Sequence, residues 1–396
     1  VSFERDVVIV GGCGRVGLPL GLALADRGLS VALYDVNALA VNSVASGHLP
    51  FDEAGAEAAL SRTLGARLAV TSDPAIVRTG ESVVIVIGTP VGGHLSPEPQ
   101  AVPRAVETLA PQLVNGQLLI LRSTVYPGVT ALVERLIGRL GLGIDVAFCP
   151  ERIAEGRAMT ELYELPQIIS GRTDTAVDRA EKLFRNLTEH IVRLLPEEAE
   201  LAKLFTNTWR YIKFAIANQC YVIANDFGVD FERVRQALTY EYPRAADFPR
   251  AGFAAGPCLL KDTMQLAAFN NNNFVLGHAA MMVNEGLPHY LVSRIEQQHD
   301  LSDMVVGILG MAFKAESDDI RSSLSYKLKR ILQFKAKAVL CTDPYVRNDL
   351  DLLPLEDVLA EADLLVIGTP HRVYSSIGPS TPVIDIWGSV AEGVRV

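Results

Sequence analysis

Cysteine, tryptophan and basic charge are all scarce in this 396-residue chain. It has five Cys, two Trp, and 36 Lys plus Arg against 46 Asp plus Glu, for a net charge of −10. The cysteines, Cys13, Cys149, Cys220, Cys258 and Cys341, are odd in number and scattered, with no Cys-x-x-Cys pair. That argues against a disulfide framework or a Cys-rich zinc site, so each thiol is read by itself. No dense Lys/Arg tract is present to follow a phosphate backbone, and no nucleic-acid partner is expected. Apolar runs are of strand length, such as Val83–Ile87, well short of the roughly 18 to 20 residues a membrane-crossing helix needs. The opening Val1–Asp6 is too polar and short for a signal peptide, so a cytoplasmic location without membrane contact is expected.

What is present is the balance of a globular protein, 49% hydrophobic and 21% charged. The length suggests two or three domains. Asp6–Val10 reads as a strand buried on both faces and runs straight into Gly11-Gly12-Cys13-Gly14-Arg15-Val16-Gly17. An apolar helix, Leu18–Arg27, is closed by Gly28, and a second strand ends in Asp35. This is a complete βαβ unit. Further strands at Ser82–Gly88, Gln117–Arg122, Asp145–Cys149 and Gln167–Gly171 alternate with helical stretches and predict a doubly wound parallel sheet.

From Pro196 the pattern changes. Glu197–Asp226 contains neither Gly nor Pro, which predicts a helix of about 45 Å. Its apolar positions are too broad for one stripe, so it reads as a central connector and a dimer element. Asn272–Gln297 is again helical, and Asp300–Asp303 reads as a linker. The last part then repeats the first: a strand Met304–Leu309 ending at Gly310, a helix Ser325–Phe334 and a strand Lys337–Asp343 ending in an acid. The echo extends to Gly88-Thr89-Pro90 and Gly368-Thr369-Pro370. The expected fold class is therefore α/β, with two Rossmann-like doubly wound domains joined by a helical middle with one long central helix. The expected boundaries are 1–196, 197–300 and 301–396.

Gly12-x-Gly14-x-x-Gly17, after a strand and opening a helix, suits a pyrophosphate at the helix N-terminus. Asp35 suits an adenosine ribose 2′-hydroxyl and would repel a 2′-phosphate, favouring NAD over NADP. The plainer alternative is a tight turn with a helix-capping acid. Cys13 has no activating base nearby in sequence and reads as a small filler. Cys258 and Asp262 are four apart, after the turn-forming Gly256-Pro257. A thiol there could add to an aldehyde beside a nicotinamide, or be a buried structural cysteine. Lys203 and Asn207 share one face of the long helix, either to stabilise an oxyanion or as a solvated surface. Thr124 and Glu151 lie at strand C-termini, where α/β sheets present functional groups. Arg244 and Arg250 suit a diphosphate or an ordinary surface.

These blocks together resemble the UDP-glucose/GDP-mannose dehydrogenase family of nucleotide-sugar 6-dehydrogenases, over nearly the whole length. They are the Gly-rich start, Gly88-Thr89-Pro90, Ser123-Thr124-Val125, Pro150-Glu151-Arg152 with Glu155-Gly156, and Ala199-Glu200-x-x-Lys203-x-x-x-Asn207. The series continues with Gly256-x-Cys258-x-x-Lys261-Asp262, and with Gly310–Lys314 followed by Asp319–Ser323. The resemblance implies an NAD-binding domain, a central domain carrying the catalytic cysteine and the dimer contact, and a nucleotide-sugar-binding domain. It implies a four-electron oxidation of a C6 alcohol to a carboxylate with two NAD+, through a thiohemiacetal and a thioester on Cys258. Asp262 then acts through a water as base, Lys203 and Asn207 stabilise charge on the C6 oxygen, and Thr124, Glu151 and Asp262 position the hydrolytic water. NAD falls to Gly12, Gly14, Gly17, Asp35, Thr89, Thr124 and, from the last domain, Arg321. The sugar nucleotide falls to Lys203, Asn207, Arg244, Arg250, Gly256 and Lys314. No metal is implied.

Cys258-x-x-Lys261-Asp262 is similar to the glucose and mannose branches, which favours UDP-glucose or dTDP-glucose over UDP-N-acetylhexosamine or GDP-mannose. A two-electron 3-hydroxyacid-type dehydrogenase would need neither Cys258 nor a second Rossmann-like domain. A non-catalytic nucleotide-binding paralogue would be expected to lose the thiol, lysine or acid that this chain keeps.

Overall fold

The computed structural model describes residues 2–89, 97–377 and 381–390. Pro90, the end of the first Gly-Thr-Pro block, lies outside them. The chain divides into two compact units, Val1–Thr206 and Asn207–Val396. The boundary falls within the long helix Pro196–Asp226.

In the first unit, strands β1 (Arg5–Val10), β2 (Val31–Tyr34), β3 (Leu68–Thr71), β4 (Gly80–Ile85), β5 (Leu118–Leu121), β6 (Asp145–Phe148), β7 (Gln167–Gly171) and β8 (Ile191–Leu194) form one sheet. Its order is β3-β2-β1-β4-β5-β6-β7-β8. Side chains alternate across a strand, so Val7 and Ile9 enter one core layer while Val8 and Val10 enter the other. Both faces are dry, as continuous Val/Ile/Leu runs require. The strand order reverses at β1/β4, the switch point at which such sheets bind ligands.

The sheet is not wholly parallel, which corrects the sequence expectation. β6 and β7 pair antiparallel, Phe148 opposite Ser170. The chain between them contains only a seven-residue helix, Ala158–Glu164, which buries Ala158 and Leu162. That helix spans about 10 Å, so the chain returns from the end where β6 stopped. Ser170 Oγ then donates to Phe148 O at 2.6 Å.

The second unit holds a four-stranded parallel sheet, β10-β9-β11-β12, from β9 (Val305–Leu309), β10 (Ala338–Thr342), β11 (Leu364–Ile367) and β12 (Val383–Ile384). Val306 and Ile308 pack with Leu291, Ile295 and Leu328. Ile367 and Leu309 pack on the other face with Val358 and Tyr374. The expected linker at Asp300–Asp303 is instead a 3-10 turn, Leu301–Asp303, with Asp300 as its cap and Leu301 buried. Leu301 O also accepts from Lys337 N at 3.2 Å. A buried leucine and a backbone bond make this turn part of the second unit's core. Two Rossmann-like folds and a helical middle with one long helix thus make up the chain.

Candidate functional site

The glycine-rich turn of the first unit meets the demands of a dinucleotide cradle. A Cβ on Gly12 would lie 2.7 Å from Leu33 Cβ, and one on Gly17 would lie 2.3 Å from Gly11 O. Those glycines are required by strand and helix packing. At Gly14 the nearest atom to such a Cβ is 3.5 Å away, so its bare backbone leaves room for a ligand to approach. Asp35 anchors the turn from the end of β2: Oδ2 accepts from Cys13 N at 3.0 Å, and Oδ1 from Asn37 N at 2.9 Å. A carboxylate so fixed keeps further lone pairs for a ribose. Cys13 is buried, and burial, helped by the Asp35 charge, pushes its thiol up to about 12, consistent with a filler.

Nearby strand ends converge within this unit. Ser123 Oγ accepts from Ile87 N at 2.8 Å, and Thr89 Oγ1 donates to Thr124 O at 2.6 Å. The structure thereby brings Thr89 and Thr124 together at the C-terminal edge of β4 and β5. Glu151 is buried against Arg122: Arg122 Nε donates to Oε2 at 3.0 Å, and the two also form a close ion pair through Nη2. Its other oxygen accepts from Arg152 N and Ile153 N at 2.6 and 3.0 Å. With both oxygens engaged, Glu151 is suited to holding groups in place. Arg15 from the glycine-rich turn reaches Glu155 Oε1 at 2.6 Å, tying the Glu155-Gly156 block to the cradle.

In the second unit, Cys258 is exposed and stands at the N-cap of the helix Leu259–Phe269. A helix N-terminus favours an anion. Asp262, in the first turn, is fully buried, and its N–H donates to Cys258 O at 2.9 Å. Asn207 Nδ2 donates to Asp262 Oδ2 at 2.6 Å. Lys261 Nζ lies 2.5 Å from Asp262 Oδ1, yet Oδ1 has no aligned hydrogen bond. We read this as a charge contact. The structure therefore joins Asn207, Asp262 and the base of Cys258. Lys203 lies one turn before Asn207 on the long helix.

The loop before Cys258 is held by two devices. Gly256 has φ +103°, and a Cβ there would fall 2.7 Å from the Phe313 ring. Gly256 N also lies 3.5 Å from Ser322 O. The Gly256 loop thus rests on the segment carrying Lys314 and Arg321. Lys314 Nζ lies 5.9 Å from the Phe313 ring centre, while Arg321 is clamped by Asp319, with Nη2 to Oδ2 at 2.6 Å. Arg250 lies 3.5 Å from Glu232, and Arg244 stacks on Tyr242.

The second Rossmann-like fold is closed where the first is open. Met311 and Ala312 occupy the turn after Gly310, and both donate backbone N–H to Asp343 Oδ2, at 2.7 and 2.9 Å. His371 Nε2 is 3.0 Å from the same oxygen. Burial pushes the Asp343 carboxyl up, but the hydrogen bonds from His371 and the backbone outweigh it, and it sits below the ordinary range. Asp343 takes the place of Asp35 but has spent its acceptor. The dinucleotide fit belongs to the first fold.

Sequence reasoning missed several buried polar side chains on the inner face of the long helix. Glu200 accepts from Gly128 N, Thr130 N and Thr130 Oγ1 at 2.6 to 2.8 Å. Asn218 accepts from Gly252 N and donates to Asn284 Oδ1, both at 2.9 Å. Glu200, Asn207 and Asn218 are seven and eleven residues apart, so they share one helix face. That polar repeat was the available signal.

Among the described residues, no helix is long and apolar enough to cross a membrane, and no cluster of His, Cys, Asp and Glu could hold a metal. Three domain models of the UDP-glucose/GDP-mannose dehydrogenase family match the chain: NAD binding at residues 6–188, central at 197–285 and UDP binding at 307–390. A UDP-N-acetyl-D-mannosamine dehydrogenase of Pyrococcus horikoshii is 31% identical, over 98% of this chain and 93% of that protein. A solved UDP-D-ManNAc dehydrogenase from Pyrococcus horikoshii superposes with TM-score 0.91 at 29% identity, covering 98% and 96% of the two chains. A UDP-glucose dehydrogenase from Pyrobaculum islandicum gives 0.87 at 27%, covering 96% and 94%.

Proposed function

The chain belongs to the UDP-glucose/GDP-mannose dehydrogenase family and is an NAD-dependent nucleotide-sugar dehydrogenase, and from that premise we propose that it oxidises the C6 alcohol of a UDP-linked hexose to the carboxylate in two successive steps. The observation that carries this reading is the exposed thiol of Cys258 at a helix N-terminus, with the Asn207–Asp262 pair built onto the same turn.

Residues 1–196 take the cofactor, 197–300 carry the reacting groups and 301–396 hold the nucleotide. NAD+ supplies the hydride acceptor, twice per sugar. It would be held by Gly12, Gly14, Gly17 and Asp35, with Thr89, Thr124 and Arg321 contributing. Asp262, through a water, takes the proton of the C6 hydroxyl as the first hydride leaves. Asn207 commits one amide N–H to Asp262, and we assign the other, with Lys203, to the charge on the C6 oxygen. The Cys258 thiolate adds to the aldehyde carbon to give a thiohemiacetal, and loss of the second hydride leaves a thioester. Water positioned by Thr124, Glu151 and Asp262 cleaves it, restoring the thiol and releasing the uronate. Gly256, Lys314, Arg244 and Arg250 are assigned to the sugar nucleotide.

For the sugar, an N-acetylhexosamine is the first choice, supported by the named relatives at 25–31% identity over almost the whole chain. UDP-glucose or dTDP-glucose is the second, favoured by Lys261 directly before Asp262 and its contact with that carboxylate. Purified protein is given NAD+ with UDP-N-acetylmannosamine, UDP-N-acetylgalactosamine, UDP-glucose, dTDP-glucose or GDP-mannose, and NADH per sugar and product mass are measured. Two NADH and a uronate are expected from one of the first two. One NADH with an aldehyde or ketone would overturn the thioester route.

A second copy of the chain is the proposed partner. Phe205, Trp209, Ile216 and Ile223 are all exposed, and their spacing of four, seven and seven puts them in one stripe along the long helix. An apolar stripe of that length fits an identical helix.

A further inference from the structure

Resting on the roles proposed for Lys314 and Arg321, a buried histidine in the last domain holds the loop that carries both. His371 is 1% exposed, and its two ring nitrogens have distinct partners. Nδ1 accepts from Glu316 N at 2.9 Å, while Nε2 faces Asp343 Oδ2 at 3.0 Å. A backbone amide can only donate, so Nδ1 is unprotonated and the hydrogen is on Nε2, pointing at the carboxylate. Glu316 has φ 55°, and Ser322, near the other end of the same loop, also has φ 55°. Non-glycine residues in the left-handed region persist only where their surroundings hold them. Between these two lie Asp319 and Arg321, with Lys314 just before.

We propose that His371 is the positioning residue that latches the 314–322 loop, its neutral ring bridging the Asp343 carboxylate and the Glu316 amide so that Lys314 and Arg321 keep their binding geometry. The groups facing the ring are Asp343 after β10, Glu316 with Oε1 3.8 Å from Nδ1, and the rings of Tyr345 and Tyr374. Tyr345 Oη donates to Glu316 Oε2 at 2.7 Å, and Arg372 Nε lies 3.5 Å from the same oxygen. A second proton on the ring removes the acceptor for the Glu316 amide and presents Nδ1–H to the Glu316 carboxylate instead. The loop would then have to shift.

The test uses the full chain, without ligands first. Hydrogen exchange of the peptide spanning 312–323 is compared in wild type, His371→Gln and His371→Ala at neutral pH, and 15N spectra of the histidine rings are recorded. A Gln side chain keeps both a donor and an acceptor. We expect about tenfold faster exchange in His371→Ala only, and a wild-type ring protonated at Nε2 alone. With sugar nucleotide and NAD+, KM for both should rise about tenfold in His371→Ala, with kcat changed far less. Unchanged exchange in His371→Ala, or equal losses in both variants, would overturn the latch. Faster exchange with unchanged KM values would overturn its role in binding. If no nucleotide sugar turns over, the exchange contrast and the ring spectra still decide the latch, so its failure is separable from that of the proposed function.

Discussion

Asn207 Nδ2 stands 2.6 Å from Asp262 Oδ2, and this contact joins the long helix to the first turn of the helix that Cys258 caps. Asp262 is fully buried, and a buried carboxylate is tolerable only with donors and charge partners around it. One amide thereby holds the proposed base in place, and in the proposed mechanism its second N–H serves the reacting oxygen.

Replacing Asn207 with Leu removes that donor. Unfolding free energy should fall by about 1–3 kcal/mol and kcat by about 10²-fold, read by urea unfolding and steady-state kinetics. Asn207→Asp puts a second carboxyl at hydrogen-bond distance from the first, and the two cannot both ionise cheaply. Its stability loss should therefore be largest at neutral pH and shrink as pH falls. A loss independent of pH would mean that the pair is not in contact.

The thiols should separate by reactivity. Burial pushes Cys13 and Cys149 up to about 12 and Cys341 up to about 11, so at about pH 8 their thiolate fractions are about 10⁻⁴ to 10⁻³. Cys258 is exposed at a helix N-terminus. Brief alkylation followed by peptide mass analysis should label Cys258 first, with activity lost in step. Substrate should protect it. Early labelling of Cys341 would show that its burial is wrongly described.

Asp35 sets the nucleotide preference in the proposed reading. Asp35→Asn keeps the acceptor for Cys13 N but loses the charge that repels a 2′-phosphate. KM for NAD+ should rise several-fold and KM for NADP+ should fall by about tenfold. No change in the ratio would remove Asp35 from the cofactor set.

The chain's own periodicities made some of this legible and hid the rest. β1, the glycine turn and Asp35 are local in sequence, so a strand, a tight turn and an acid eighteen residues on could be read directly. The repeat in the last part was equally visible, but its closure was not, because Met311, Ala312, Asp343 and His371 come from three separate stretches. The antiparallel β7 depended on where a short helix found its core, which no propensity records. Arg122 was read only as part of a strand end, whereas it is fully buried across Glu151. On the long helix the usual sense of amphipathicity is partly inverted. Glu200, Asn207 and Asn218 face inward with every one hydrogen-bonded, while Phe205, Trp209 and Ile223 face outward. A reading that equates apolar with inside captures the helix and loses its inward polar face.

That outward stripe gives the last prediction. Ile223 is 61% exposed and Ile216 46%, seven residues apart on the same line as Trp209. Leaving so much apolar surface in water is unfavourable by about 25 cal/mol per Å², which a second helix laid along the stripe would recover. Ile223→Asp adds a charge within such a contact without touching the packed inner face. Wild type should sediment as a dimer at micromolar concentration, and Ile223→Asp should shift toward monomer by at least tenfold in dissociation constant. Because the residues proposed to cradle NAD+, Gly12, Gly14, Gly17 and Asp35, lie outside the long helix, NAD+ binding to the monomeric variant should survive. A wild-type monomer at those concentrations would sink the proposal, and so would a variant that dimerises as tightly as wild type.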